Sequence, residues 1–88
     1  MRNVLFDFTG EKVLVVGGSK GIGYEVCKYF LQAGASVTSL ARTPHKNKNV
    51  DNIICDISDA IALESTIKNI KNIDILINVA GTNLCETM

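Results

Sequence analysis

The chain has 88 residues, enough for one small domain and marginal for one that must bury a core alone. Hydrophobic residues make up 47% and charged residues 20%, the balance of a soluble globular protein. Nine basic residues offset nine acidic ones, so no charge excess points to nucleic acid or to a solvating acidic tail. Cys27, Cys55 and Cys85 are an odd, widely spaced set without a CxxC pair. That argues against a disulfide framework or a zinc site and predicts buried, reduced thiols in the cytoplasm, with no metal. The start, Met1 to Phe8, lacks the apolar run and cleavage site of a signal peptide, and no apolar run is long enough to span a bilayer.

In chain order, the first strand is predicted at Lys12–Val16, ending at a glycine cluster. A helix follows from Ile22 to Ala33. Ile22, Val26, Phe30 and Ala33 recur there at helical spacing, with Glu25, Lys28 and Gln32 between them and Gly34 as a natural stop. Ser36–Leu40 reads as the second strand. The polar link from Arg42 to Asp51, about ten residues, is short for a crossover between parallel strands. It predicts a loop or a single helical turn, and a sheet left barer on that side. Arg42, His45, Lys46 and Lys48 cluster there and read as a solvated loop, with a nucleic-acid or membrane site as the alternative.

Asn52–Cys55 is a weaker strand. A second helix is predicted from about Asp59 to Lys71, with Ser58 able to cap it and Asp59 at the positive end of its dipole. Ile61, Leu63, Ile67 and Ile70 form its inward stripe, and Lys68 and Lys71 suit its negative end. The last strand is Ile73–Ile77. Apolar runs without strict alternation suit a parallel sheet covered on both faces. The fold class is therefore α/β, a doubly wound parallel sheet of about four strands and two main helices. Right-handed crossovers give the spatial order third, second, first, fourth, which leaves the fourth strand as an apolar edge.

The strongest chemical signal is Val16-Gly17-Gly18-Ser19-Lys20-Gly21-Ile22-Gly23, which leaves a buried strand and opens a helix. Gly17 permits a tight turn, Gly21 lets backbone approach a pyrophosphate, and Gly23 lets helix and strand pack closely. The free N–H groups at the helix start then face the anion. The nucleotide motif G-x-x-x-x-G-K-[ST] fails, because Tyr24 falls where the lysine belongs. G-x-G-x-x-G fails at Ser19. The spacing G-x-x-x-G-x-G fits at Gly17, Gly21 and Gly23.

This stretch resembles the TGxxxGIG fingerprint of the short-chain dehydrogenase/reductase family, with Val16 in place of the leading threonine. Two further segments resemble that family. Cys55-Asp56-Ile57-Ser58-Asp59 is similar to its D-[VI]-[ST]-D segment. Asn78-Val79-Ala80-Gly81 is similar to its NNAG motif, with Val79 in place of the second asparagine. The three motifs come in the family's order, each at a strand's end. The resemblance implies a partial Rossmann-like domain, residues 1–88 being the front of a single NAD(P)-binding unit. It implies that the turn with Gly17, Ser19, Lys20, Gly21, Ile22 and Gly23 holds the pyrophosphate. Asp56 would accept from the adenine amino group with the Ile57 backbone beside it, and Asn78, Ala80 and Gly81 would line the adenosine ribose. A local helix-capping role for Asp56 and a strand-end structural role for Asn78 stand as alternatives.

Cofactor choice is argued from charge. No acidic residue ends the second strand, where one would bind a ribose 2′-OH and repel a 2′-phosphate. Arg42 offers a planar fork there, and Lys20 sits inside the turn. Two charge-assisted hydrogen bonds of roughly 1.5–3 kcal/mol each would favour NADP(H) over NAD(H) by about a hundredfold or more. The alternative is that both are surface cations.

The family's chemistry uses Ser and Y-x-x-x-K residues that follow the NNAG segment, which implies that they, and the dimer helices, lie past Met88. Tyr24 and Lys28 match Y-x-x-x-K by spacing alone, on the helix just after the phosphate turn, and read as helix neighbours. Ser19 has no evident base beside it. The expectation is an NADP(H)-binding portion of an oxidoreductase that reduces a carbonyl or oxidises an alcohol, here truncated and inactive alone. A non-catalytic nucleotide-binding module and a non-functional remnant are the competing readings.

Overall fold

The computed structural model describes residues 7–80. Gly81 and Cys85 lie outside the described residues. Among the described residues, six elements follow one another: β1 (Lys12–Val16), α1 (Gly21–Gln32), β2 (Ser36–Ala41), β3 (Asp51–Ile54), α2 (Ala60–Lys68) and β4 (Ile75–Asn78). The strands form one parallel sheet in the order β3-β2-β1-β4, the order expected from right-handed crossovers. The register pairs Val16 with Leu40 on one side and with Asn78 on the other, and Ala41 with Ile54.

Each face of the sheet carries its own apolar cluster. Val13, Val15 and Val37 pack with Cys27, Val26 and Phe30 of α1. Leu14, Val16 and Leu40 pack with Leu63 and Ile67 of α2. Both faces of β1 are thus covered, which is why its sequence runs apolar without alternation. Removing a fully buried valine or leucine side chain from water is worth roughly 1.5–3 kcal/mol.

Helix α1 closes as the sequence predicts. The Gly34 N–H donates to Leu31 O and the Ala35 N–H to Phe30 O, both at 3.0 Å. These two bonds satisfy carbonyls that the helix end would otherwise strand. Its inward face differs from the expected stripe. Ile22 is 76% exposed, and the fully buried residues are Gly23 and Cys27. The first turn of α1 turns Gly23, not Ile22, toward the strand end, where it meets Gly17 and Val79.

Helix α2 is shorter than expected, ending at Lys68 rather than Lys71, and Asn69 caps it. The cap at its start is Asp59, not Ser58. The Asp59 carboxylate accepts from the Ile61 and Ala62 N–H groups at 3.1 Å. Ser58 is drawn away because its hydroxyl donates to Asp56 at 2.6 Å. Ile61 is 81% exposed, a further departure from the expected stripe, and Leu63 carries the contact. Strand β4 starts two residues later than expected, after Asn72 takes a positive φ of 64°. It stands at the sheet edge, with all four residues half-buried.

The link from Arg42 to Val50 holds no helix. Val50 and His45, each 3% exposed, plug part of the space a covering helix would fill. Ile54 stays 59% exposed, so the β3 edge is bare, as the short link predicts.

Candidate nucleotide-binding site

Parallel strands bring their carboxyl ends to one edge. That edge gathers the glycine turn after β1, Arg42 after β2, Asp56 and Ile57 after β3, and Asn78 to Ala80 at the end of β4. Ligands of open α/β sheets bind at such an edge.

The turn's shape follows from its glycines. Gly17 adopts φ 85°, which other residues reach only with strain, and its N–H continues the sheet by donating to Leu40 O at 2.8 Å. The reason for Gly23 is different. A Cβ there would collide with the Gly17 carbonyl oxygen and lie 2.8 Å from Val79 Cγ2. At Gly21 a Cβ would meet nothing within 4 Å, so that stretch of backbone borders open space.

The turn is anchored from below and from the side. The Cys27 thiol donates to Gly18 O at 3.6 Å, and burial pushes its pKa up to about 11. A Cβ on Gly18 would stand 2.7 Å from Ser39 Oγ, a buried hydroxyl without a partner among the described residues. At the side, the Ser19 and Thr43 hydroxyls share a hydrogen bond of 2.9 Å that ties the turn to the loop after β2. Lys20 takes the N-cap position of α1 in an extended conformation, and no side chain caps that helix start. The first-turn N–H groups are therefore left to an external acceptor or to water.

Beside the turn lies a cleft of about 430 Å³, lined by Ser19, Lys20, Gly21, Tyr24, Thr43, Pro44 and Lys46. Two lysines, Lys20 and Lys46, are among its lining residues. Arg42, expected beside Lys20, is not among the lining residues. Its charge instead acts on Asp56.

Asp56 is exposed, and its carboxylate accepts from the Ser58 hydroxyl at 2.6 Å and from the Ser58 N–H at 3.0 Å. Those bonds hold it below the ordinary carboxylate range, with Arg42 adding to the shift. One carboxylate oxygen is thereby committed to a local turn, the structural role weighed against the adenine role. Asn78 likewise accepts the Ala80 N–H on its side-chain oxygen at 3.1 Å. Ala80 packs against the turn, its Cβ 3.1 Å from where a Gly17 Cβ would stand.

His45, read from sequence as part of a solvated patch, is buried. Its ring stacks on Tyr24 with centroids 4.1 Å apart and planes 5° from parallel. The Asn47 N–H donates to Nδ1 at 2.9 Å, which assigns the ring proton to Nε2, 3.2 Å from the Tyr24 carbonyl oxygen it donates to. Sequence reasoning missed His45, Thr43, Pro44 and Lys46. The signal was the shortness of the link itself, since something in it had to cover the sheet. Tyr24 and Lys28, the Y-x-x-x-K look-alike, are engaged locally. Lys28 lies 5.7 Å from the Tyr24 ring centroid and 3.9 Å from Glu25. Among the described residues no group of three His, Cys, Asp or Glu side chains could hold a metal, and no helix is long and apolar enough to cross a membrane.

Known proteins share this arrangement. A sequence profile of short chain dehydrogenases matches residues 11–88. An uncharacterized oxidoreductase of Mycobacterium bovis is 34% identical over 99% of this chain and 31% of its own length. A short chain dehydrogenase of Pseudocercospora fijiensis is 39% identical over 82% of this chain and 28% of its own. Among solved structures, a short chain dehydrogenase of Leptospira borgpetersenii with bound NAD+ superposes with a TM-score of 0.68 at 26% identity, covering 89% of this chain and 35% of that one. The 2-keto-3-deoxy-D-gluconate dehydrogenase of Streptococcus agalactiae superposes with a TM-score of 0.70 at 25% identity, over 88% of this chain and 35% of that one. The chain thus spans about a third of the length of such relatives. A glycine turn that needs Gly23 to clear Gly17, set in a sheet of this order and matched along nearly its whole length, makes this chain a member of the short-chain dehydrogenase family.

Proposed function

We propose that residues 1–88 form the front of a single dinucleotide-binding domain and supply the adenosine and pyrophosphate half of an NADP(H) site. The observation that carries this reading is the uncapped start of α1 beside the open backbone at Gly21, with Lys20 and Lys46 both lining the adjoining cleft. The residues fit the group. Backbone N–H groups suit a diphosphate, and two lysines suit an additional phosphate on the ribose. Gly17, Ser19, Lys20, Gly21, Ile22 and Gly23 are assigned to the pyrophosphate, Asp56 and Ile57 to the adenine, and Asn78, Ala80 and Gly81 to the ribose. Arg42 keeps its assigned part in the preference for NADP(H), although it stands outside that cleft and its charge acts on Asp56.

When bound, the nicotinamide would give or take hydride at a carbonyl or alcohol carbon. The chain's own residues bind and orient the far end of that cofactor. The proposal assigns proton transfer to Ser, Tyr and Lys residues other than Tyr24 and Lys28, which the contacts with His45 and Glu25 occupy. A cytoplasmic, reducing setting goes with the reading and is supported by the unpaired thiols of Cys27 and Cys55.

The test is a fluorescence or thermal-shift titration with NADP+ and NAD+. The expected result is an NADP+ affinity about a hundredfold tighter, with stabilisation rising as RT ln(1 + [L]/Kd). Equal or tighter binding of NAD+ overturns the preference. No binding of either overturns the assignment.

A further inference from the structure

We propose that His45 is a positioning residue that sets cofactor selectivity. It locks the loop after β2 onto the first turns of α1, so that Thr43 and Lys46 line the same cleft as Lys20. The inference rests on the nucleotide reading above and goes beyond it by assigning the source of discrimination.

The loop from 42 to 50 has no helix of its own to hold its shape. Side-chain and backbone contacts do so instead, and those of His45 tie the loop both to α1 and to β3. Its ring stacks on Tyr24, and its Nε2 reaches the Tyr24 carbonyl oxygen at 3.2 Å. Its Nδ1 receives the Asn47 N–H at 2.9 Å, which bends the chain just beyond Lys46. Its backbone N–H donates to the Asn52 side chain at 2.8 Å, and the same side chain donates back to His45 O at 3.4 Å, which fixes the loop to β3. The residue is 3% exposed, so these contacts exclude water.

The neighbours of this peg form the cleft. Pro44 precedes it, Lys46 follows it, and Thr43 bonds Ser19 at 2.9 Å. Neither Lys20 nor Lys46 is paired with a carboxylate among the described residues. A dianionic phosphate entering the cleft would find both cations on its lining. Ordering a free lysine on a loose loop costs side-chain and backbone entropy at the moment of binding. The His45 peg removes that cost for the ligand carrying the extra phosphate. A ligand without that phosphate has no use for Lys46, so the peg affects it little.

The experiment compares adenosine 2′,5′-bisphosphate with 5′-AMP, which differ only in the 2′-phosphate, on the 88-residue chain. In the unaltered chain the bisphosphate binds more tightly. His45→Ala lowers the ratio of the two affinities by about tenfold, because the phosphate contact through Lys46 is lost while the 5′-phosphate contact remains. Lys46→Gln, an exposed substitution that leaves the core intact, lowers the ratio to a similar extent. Tyr24→Leu, which removes the stack but keeps the backbone carbonyl, lowers it partially. A purely structural role for His45 would weaken both ligands together and leave the ratio unchanged, and that result overturns the proposal. If His45→Ala does not fold, an unchanged ratio in both Lys46→Gln and Tyr24→Leu overturns it instead. Failure of the unaltered chain to bind either nucleotide sinks the nucleotide reading itself, a different outcome from an unchanged ratio.

Discussion

The Gly17 carbonyl oxygen occupies the space that a β-carbon on Gly23 would need. The two glycines are therefore one packing unit. The strand end and the first turn of the helix approach so closely that only hydrogen fits between them. Gly23→Ala should force the turn and α1 apart and destabilise the fold by about 1–3 kcal/mol, the usual range for overpacking. Gly21→Ala faces open space and should cost only the strain of its φ of 56°. Thermal melts of the two variants check this, and an equal or smaller loss for Gly23→Ala contradicts the packing account.

Cys27 should be an inert thiol at neutral pH. Burial raises its pKa to about 11, from 9.0 for a free thiol. The unfolded chain therefore releases this proton first. The associated stability is fully present below about pH 9 and is lost as pH rises toward about 11. Iodoacetamide at pH 8 should label Cys27 only as fast as the chain opens, and mass mapping of the labelled peptide measures that. Rapid labelling under native conditions contradicts the burial.

Asp59 is the cap that starts α2. Asp59→Ala leaves the Ile61 and Ala62 N–H groups without their acceptor and should cost about 1 kcal/mol, whereas Ser58→Ala leaves both bonds in place. Chemical denaturation distinguishes the two. A larger loss from Ser58→Ala would restore Ser58 as the cap.

Asp56 gives an acid-side signature. Bonds from Ser58, with help from Arg42, lower its pKa below the free value of 3.8. The contribution is present above that value and is lost as pH falls through the depressed one. Asp56→Asn can still accept the Ser58 bonds, so it should keep the turn while abolishing this part of the acid dependence. Stability profiles of the two proteins between pH 2 and pH 6 that coincide in slope would rule this out.

How much of this was legible in the sequence depends on how local the determinants are. The glycine turn, the strand order and the absence of a helix after Arg42 follow from spacing within short windows, and the structure has them. Ile22 and Ile61 were misread as inward because periodicity marks a stripe on a helix. It does not tell where the neighbouring sheet stops. The choice between Ser58 and Asp59 as cap was settled by Asp56, which engages the serine first. His45 was the least legible, since its burial depends on Tyr24, 21 residues earlier in the chain. Nothing in the polar run around it marks that partner.

One seam of the sheet spans most of the sequence. The Asp74 carboxylate accepts the Lys12 N–H at 2.8 Å, and the Asp74 N–H returns a bond of 2.8 Å to Lys12 O, joining residues 62 positions apart. At the other end of the same seam, Val79 donates to Val16 O and Ala80 lies under Gly17. The floor of the glycine turn is thus delivered by β4, the last of the described strands, after all the chain between has been laid down. A nascent or nicked polypeptide lacking that strand would carry the whole fingerprint and still present an unfinished turn. Any anion gripped there would, by reciprocity, hold the seam shut.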